Sequence, residues 1–279
     1  MVSVKIGLVI KKGSREAATI AHDLAEYGEK ELGLDIYVES DVADEVKWHK
    51  KFRLSTDVVD YIIVIGGDGT LLRTLHRMED HAIPVMTIRV GRRGFLLDVA
   101  PFEACSRLRD LVEGRYYLRK CLRLQAFLKG IKPPPALNEV AILNWAELRS
   151  KVIRLAVYKD NQFIYNAYGD GLIIAPPTGS TAYSLSAGGP ILDPELDGYV
   201  ITPLAPVQLH VRPIVVPSKS KIRILLRSDS APAMCLIDGQ YNITIDPGEE
   251  IIITSADKPA LLVRFTEFEF YERVFARVV

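Results

Sequence analysis

Apolar positions along the chain follow two different rhythms, and the change falls near residue 114. Before it, short solid apolar runs alternate with stretches whose apolar residues recur every three or four positions. Lys5 to Ile10 and Leu34 to Val38 read as strands, and Ser14 as the N-cap of a helix to about Leu32 with Ala17, Ala18, Ala21, Leu24 and Ala25 on one face. Tyr61-Ile62-Ile63-Val64-Ile65 has the pattern of a short strand buried on both faces; Leu71, Leu72, Leu75 and Met78 follow at helical spacing. Ile83 to Val90 predicts another strand, and Pro101 opens a helix to about Glu113 with Cys105, Leu108, Leu111 and Val112 apolar. The charged stretch Asp41 to Leu54 carries no period. Strands alternating with helices predict a mostly parallel sheet.

After Gly114 the period shortens to two. Tyr116 to Leu128, Lys151 to Tyr158 and Ile222 to Leu226 alternate apolar with polar residues, and proline and glycine punctuate at Lys132-Pro133-Pro134-Pro135, Pro203, Pro206 and Asp246-Pro247-Gly248. Short strands between turn signals predict an all-β, sandwich-like domain. The last segment, from Leu261, carries Phe265, Phe268, Phe270, Tyr271 and Phe275, too many aromatics for a free tail, so it should pack on something.

Composition narrows the class. The 279 residues are 48% hydrophobic and 25% charged, enough for a full core in one large or two ordinary domains. A formal net charge of +0 argues against a non-specific nucleic-acid binder. Cys105, Cys121 and Cys235 are odd in number and form no Cys-x-x-Cys pair, the usage of free thiols in a reducing compartment. The first apolar stretch is too short for a signal sequence, and no run approaches the ~18 apolar residues of a membrane span. A cytoplasmic protein is expected.

The first candidate chemistry lies where the strand ending at Ile65 meets Gly66-Gly67-Asp68-Gly69-Thr70 and then a helix. Ligands of open α/β sheets bind at the carboxyl ends of strands, and helix N-termini present unpaired N–H groups suited to phosphate. A lone carboxylate in such a turn, Asp68, can hold a metal ion or take a proton from an attacking hydroxyl. A Gly-Asp-Gly turn is also a hairpin signal, but a hairpin needs a second strand and a leucine-periodic helix follows. No Gly-Lys-Ser/Thr occurs, so this is not a Walker loop.

The second candidate is the run from Gly169-Asp170-Gly171 through Pro176-Pro177-Thr178-Gly179-Ser180-Thr181-Ala182-Tyr183-Ser184-Leu185-Ser186 to Gly189-Pro190, an apolar strand opening onto small hydroxyl residues with one aromatic face. An ordinary Ser/Thr-rich loop is the plainer reading. No histidine lies near Ser180 and the Gly-x-Ser-x-Gly elbow is absent, which argues against a serine hydrolase. Asn138-Glu139 precedes an apolar strand, Val140 to Leu143, and could meet a ribose diol or simply make a turn.

Gly66 to Thr70, Gly94-Phe95-Leu96, Asn138-Glu139-Val140, Asp170 to Pro190 and Asp238-Gly239-Gln240 stand in the order and rough spacing of the NAD kinase family, which the chain resembles throughout. The first motif is shared with diacylglycerol, sphingosine and phosphofructo-kinases; the long one is far more specific. The resemblance implies an α/β phosphate-donor domain over residues 1–114, joined by the tail 262–279 packing back on it, and a β-rich NAD-binding domain over 115–261. It implies Asp68 as proton acceptor with Gly66, Gly67, Gly69 and Thr70 around the ligand, and Arg73 on nucleotide. Asn138 and Glu139 would hold the adenosine, with Arg149, Tyr168 and Asp170 as further contacts. Thr178, Thr181, Ala182, Tyr183, Ser184, Leu185 and Ser186 would line the NAD loop, with Gln240 a late contact and Ala205 reaching a neighbouring subunit's site. The implied reaction is phosphoryl transfer from ATP or polyphosphate to the adenosine 2′-hydroxyl of NAD, with Mg²⁺ arriving on the donor, in a homodimer or homotetramer with no nucleic-acid or membrane partner. Two departures stand out: Val207 follows Pro206 where many members carry histidine, and Arg92-Arg93 replace residues that are often neutral. The rivals are a lipid kinase, which needs an apolar acceptor pocket, and a non-catalytic NAD(H) sensor, which would dispense with Asp68.

Overall fold

Ser14 caps its helix as its position predicts: its hydroxyl accepts from the Ala17 N–H at 3.3 Å, and Gly33, at φ 63°, stops the helix in the left-handed conformation glycine tolerates. This helix, α1 (Arg15–Leu32), lies between β1 (Lys5–Ile10) and β2 (Asp35–Glu39). The computed structural model describes residues 3–78, 82–91, 94–144, 152–266 and 270–275. It divides into two units, residues 1–120 with 260–279, and residues 121–259.

In the first unit the periodless stretch after β2 forms one helical turn, α2 (Ala43–Val46), and a two-residue strand, β3 (Lys51–Phe52). Then come β4 (Tyr61–Gly66), α3 (Asp68–Arg77) and β5 (Val85–Arg89). The expected helix from Pro101 begins as a 3₁₀ turn, Pro101–Glu103, and continues as α4 (Ala104–Val112). β6 (Tyr117–Cys121) follows. β1 pairs in parallel with β2 and β4, and β4 with β5. One apolar core joins Ala21 and Leu24 of α1 and Leu108 and Leu111 of α4 to Ile6, Ile36, Ile63 and Met86 of the strands.

The second unit is a β-sandwich. Its strands are β7 (Leu124–Phe127), β8 (Val140–Asn144), β9 (Ile153–Lys159), β10 (Gln162–Gly169), β11 (Gly171–Ala175), β12 (Gly198–Leu204), β13 (Ile214–Pro217), β14 (Ile222–Leu226), β15 (Ala233–Ile237), β16 (Tyr241–Ile245) and β17 (Glu250–Ser255). They form a five-stranded sheet, β10-β9-β14-β17-β7, and a six-stranded sheet, β13-β12-β11-β8-β15-β16. Leu155, Val157 and Ile224 of one share a core with Ile142, Leu172 and Ile174 of the other, the alternation that period-two patterning requires.

The chain then returns to the first unit. β18 (Ala260–Arg264) pairs in parallel with β5, and the seven-stranded sheet runs β3-β2-β1-β4-β5-β18-β6. The boundary expected at 114 therefore moves to 120. Alternation alone marks Tyr116 to Leu128 as extended but does not say which sheet receives it; β6 finds its partner in a strand some 140 residues later. The tail packs as expected, with two exceptions. Phe265 packs on the core under the Arg107 guanidinium, and Phe270 is buried in the closing helix α6 (Phe270–Phe275). Tyr271 and Phe275 of the same helix stack on each other and stay exposed. Phe268 lies outside the described residues.

Candidate active site

Gly66 to Thr70 straddle the junction of β4 and α3 in the first unit. Gly66 ends the strand and its N–H–bearing backbone lies so close to Thr70 that an added Cβ would sit 2.6 Å from the Thr70 hydroxyl. Gly67 is the N-cap of α3, and Asp68, Gly69 and Thr70 are its first turn. Helix N-terminus and sheet end coincide, the arrangement that favours an anion. The Asp68 carboxylate is held from the far side: Oδ2 accepts the Phe95 N–H and Oδ1 the Leu96 N–H, both at 2.9 Å. Each oxygen keeps a lone pair for another donor. Arg73 is exposed on the outer face of α3, one turn further on.

In the second unit three separate stretches meet at one end of the six-stranded sheet. β8 begins at Val140, which pairs with Ile174 of β11 and Ile237 of β15. The residues just beyond these pairs are thereby neighbours: Asn138-Glu139, the segment after Ala175, and Asp238. The Asp238 carboxylate accepts the N–H groups of Leu137, Asn138 and Glu139 at 2.9, 2.7 and 3.0 Å, and the Asp238 N–H donates to the Glu139 carbonyl. Gly179 is pressed against the same segment; a Cβ there would fall 1.6 Å from the Asn138 carbonyl oxygen. Gln240 closes the turn by donating its N–H to the Ile237 carbonyl.

This frame leaves Glu139 in an expensive state. Its side chain is 8% exposed, and its Oε2 has no hydrogen-bond partner. Burial, and behind it the Asp238 charge, pushes the Glu139 carboxyl up to about 7. The hydroxyl-rich run forms a 3₁₀ turn, Thr178–Thr181, and one helical turn, α5 (Tyr183–Ser186). Ser184 is fully buried with its hydroxyl on Thr202, and the Thr181 hydroxyl donates to the carbonyl of the buried Thr178. Tyr183, Leu185 and Ser186 face outward, and Ala182 is half-buried between them and Thr181.

Tyr168, Asp170 and Ala205 form a separate group at the opposite end of β11, where Gly171 pairs with Leu143 and Leu204. Asp170 donates its N–H to Leu204 and the Tyr168 carbonyl accepts from Val207. Four strand steps of about 3.3 Å separate the two ends, so within one chain these residues stand about 13 Å from the Asn138-Glu139 group. Ala205 is exposed, at φ 45°. Arg149 lies outside the described residues.

Family models describe the same two parts: the ATP-NAD kinase N-terminal domain matches residues 6–116 and the ATP-NAD kinase C-terminal domain residues 137–265. The chain belongs to the NAD kinase family. It is 39% identical to the NAD kinase of Aeropyrum pernix over 98% of both chains, and 38% identical to that of Thermococcus kodakarensis over 97% of both. Among solved structures, an Archaeoglobus fulgidus NAD kinase in complex with ATP matches 99% of this chain and 98% of its own at 27% identity and a TM-score of 0.78. The yeast NADH kinase complexed with NADH shares the fold, with a TM-score of 0.90 at 24% identity over 99% of this chain and 87% of its own.

Two supports of these two groups escaped the sequence reading. Phe95 and Leu96 act through backbone N–H groups, which side-chain identity does not reveal; the Gly94-Phe95-Leu96 motif was the signal. Asp238 reaches residues 99 to 101 positions earlier. Its place beside Gly239 and Gln240 marked the turn but not the bond.

Proposed function

We propose that the protein transfers a phosphoryl group from ATP or polyphosphate to the adenosine 2′-hydroxyl of NAD, giving NADP. Glu139 is the observation that carries this reading over a lipid kinase with the same glycine loop. A buried carboxylate oxygen without a donor is costly. A ribose diol supplies hydroxyl donors for it, whereas an acyl chain would leave it unsatisfied. The presence of Asp68, held by two N–H groups at a helix N-terminus, favours an enzyme over a sensor.

Phosphoryl transfer needs little covalent chemistry from the protein and much positioning. Asn138, Glu139 and the segment Thr178 to Ser186 hold the adenosine half of NAD. Asp68 accepts the proton of the 2′-hydroxyl as its oxygen bonds to phosphorus and the bond from phosphorus to the leaving phosphate oxygen breaks. Gly66 to Thr70 take the donor phosphates at the α3 N-terminus. Among the described residues no group of three or more His, Cys, Asp or Glu side chains converges. Gly66 to Thr70 would hold the donor phosphates with their Mg²⁺, which would neutralise phosphate charge when bound.

The protein works as a homodimer or homotetramer; the separate Tyr168, Asp170 and Ala205 group supports this, since it suits a neighbouring copy's NAD. It works in the cytoplasm, which fits three free cysteines, two of them buried. No helix among the described residues is long and apolar enough to cross a membrane. The deciding assay combines purified protein, NAD, Mg²⁺ and either ATP or polyphosphate and measures NADP. NADP formed with neither donor would overturn the reading.

A further inference from the structure

We infer that Arg273 of the C-terminal segment is a positioning residue for Asp68, acting through the loop 94–98; the inference rests on the catalytic reading of Asp68 above. Asp68 is aligned by the Phe95 and Leu96 amides, so whatever fixes those amides fixes the carboxylate. On one side the loop is held by β5: the Asp98 N–H donates to the Thr87 hydroxyl at 3.1 Å, and Val99 bridges to Ile88. On the other side, among the described residues, the loop is held by Arg264, Phe270 and Arg273. Arg264 Nη2 donates to the Leu96 carbonyl at 3.1 Å, so one peptide residue links Arg264 to Asp68. Phe270 packs edge-on against Phe95, ring centroids 6.3 Å apart. The Arg273 guanidinium pairs with Asp98, whose side chain is only 6% exposed, and Arg264 Nη1 lies 4.0 Å from the same carboxylate.

The charge arithmetic makes Arg273 the pin. Asp98 is a nearly buried anion, and removing one cation of a buried pair leaves charge that the structure must re-expose or re-pair. Either response shifts the loop and takes the two N–H donors off the line to Asp68. A misplacement of about 1 Å at a reacting group can cost about 10²-fold in rate. A purely structural tail would lower stability without singling out chemistry.

The test compares Arg273→Ala, Asp68→Asn and the double variant of the full chain, with single-turnover kcat, NAD affinity by calorimetry and amide exchange at Phe95 and Leu96. The expected result is a kcat loss of about 10²-fold in Arg273→Ala at unchanged NAD affinity, with faster exchange of both amides. In the Asp68→Asn background the same substitution should cost no more than about twofold, since two residues acting through one contact are not additive. Arg273→Lys keeps the charge without the planar fork and should restore part of the rate; it carries the same comparison if the alanine variant melts below assay temperature. Equal losses in both backgrounds, or a wild-type rate in Arg273→Ala beside a collapsed Asp68→Asn, overturns the inference and leaves Asp68 catalytic. A retained rate in Asp68→Asn overturns the catalytic reading instead, and unaltered amide exchange in Arg273→Ala then removes the clamp as well.

Discussion

Asp68 accepts a backbone donor on each carboxylate oxygen, whereas Glu139 keeps a buried oxygen with none. The two groups accordingly fail in different ways. Asp68→Asn keeps size and loses charge, proton acceptor and one N–H acceptor position; kcat should fall by about 10²–10⁴-fold, the usual worth of a general base, while calorimetric NAD affinity holds. An unchanged kcat would reduce Asp68 to a turn residue. Glu139 carries a pH signature. Its folded-state carboxyl is raised from 4.5 to about 7, so the folded protein binds the proton more tightly than the unfolded chain, and stability falls as pH rises through that window. Each pKa unit is about 1.4 kcal/mol, so Glu139→Gln should raise ligand-free stability at pH 8 by up to about 3 kcal/mol and leave pH 4 unchanged. Denaturant melts at the two pH values check this. The same substitution should raise KM for NAD and spare KM for the donor. Asp68 was legible because a charge inside a glycine loop is conspicuous; the raised Glu139 was not, because burial at residue 139 depends on Asp238 and Gly179, distant in sequence.

At the scale of elements, the acceptor group is assembled by register. β8, β11 and β15 bring their ends together only because Val140 faces both Ile174 and Ile237. The close approach of Gly179 to the Asn138 carbonyl locks the 3₁₀ turn against that frame. Gly179→Ala must displace backbone, an overpacking that typically costs 1–3 kcal/mol, and the displaced backbone carries Asn138 and Glu139. A rise of roughly tenfold or more in the NAD Kd, with donor KM near its original value, is expected from calorimetry and steady-state kinetics; unchanged Kd would detach the turn from the acceptor site. Strong periods make β1, α1, β4 and α3 readable in the sequence alone. The 176–190 run was not, since one turn of 3₁₀ and one of α-helix are too short to show a period. What stabilises them is specific: Ser180 bonded to Pro177 and Leu192, Ser184 to Thr202.

For the whole molecule, the sequence conveyed two units and their classes, and misplaced their border because β6 is claimed by a strand far along the chain. Assembly is the property to measure at this scale. Static light scattering is expected to give a dimer or tetramer, and full specific activity from a monomer would contradict the role suggested for the Ala205 group. Excess chelator should abolish activity with either donor while leaving thermal stability without ligand unchanged, because the ion travels with the phosphates; a chelator-induced drop in melting temperature would reveal a resident metal.

The placement of β18 between β5 and β6 also has a consequence for biosynthesis. A ribosome delivers Lys120 long before Arg264, and at about 5–20 residues per second the gap lasts roughly 7–30 s. Through that interval the first unit has an open seam where a strand is missing, and β6 has nothing to join. The second unit is continuous, residues 121–259, and is complete first in the sense that nothing later is threaded into it. Residues 260–275 thus close the first unit's sheet and, through Arg264 and Arg273, draw the loop onto Asp68. Nascent chains arrested before Ala260 should yield a protease-resistant sandwich and a protease-sensitive first unit, and a kinase carrying Asp68 in place should emerge only after residues 260–275 have left the ribosome.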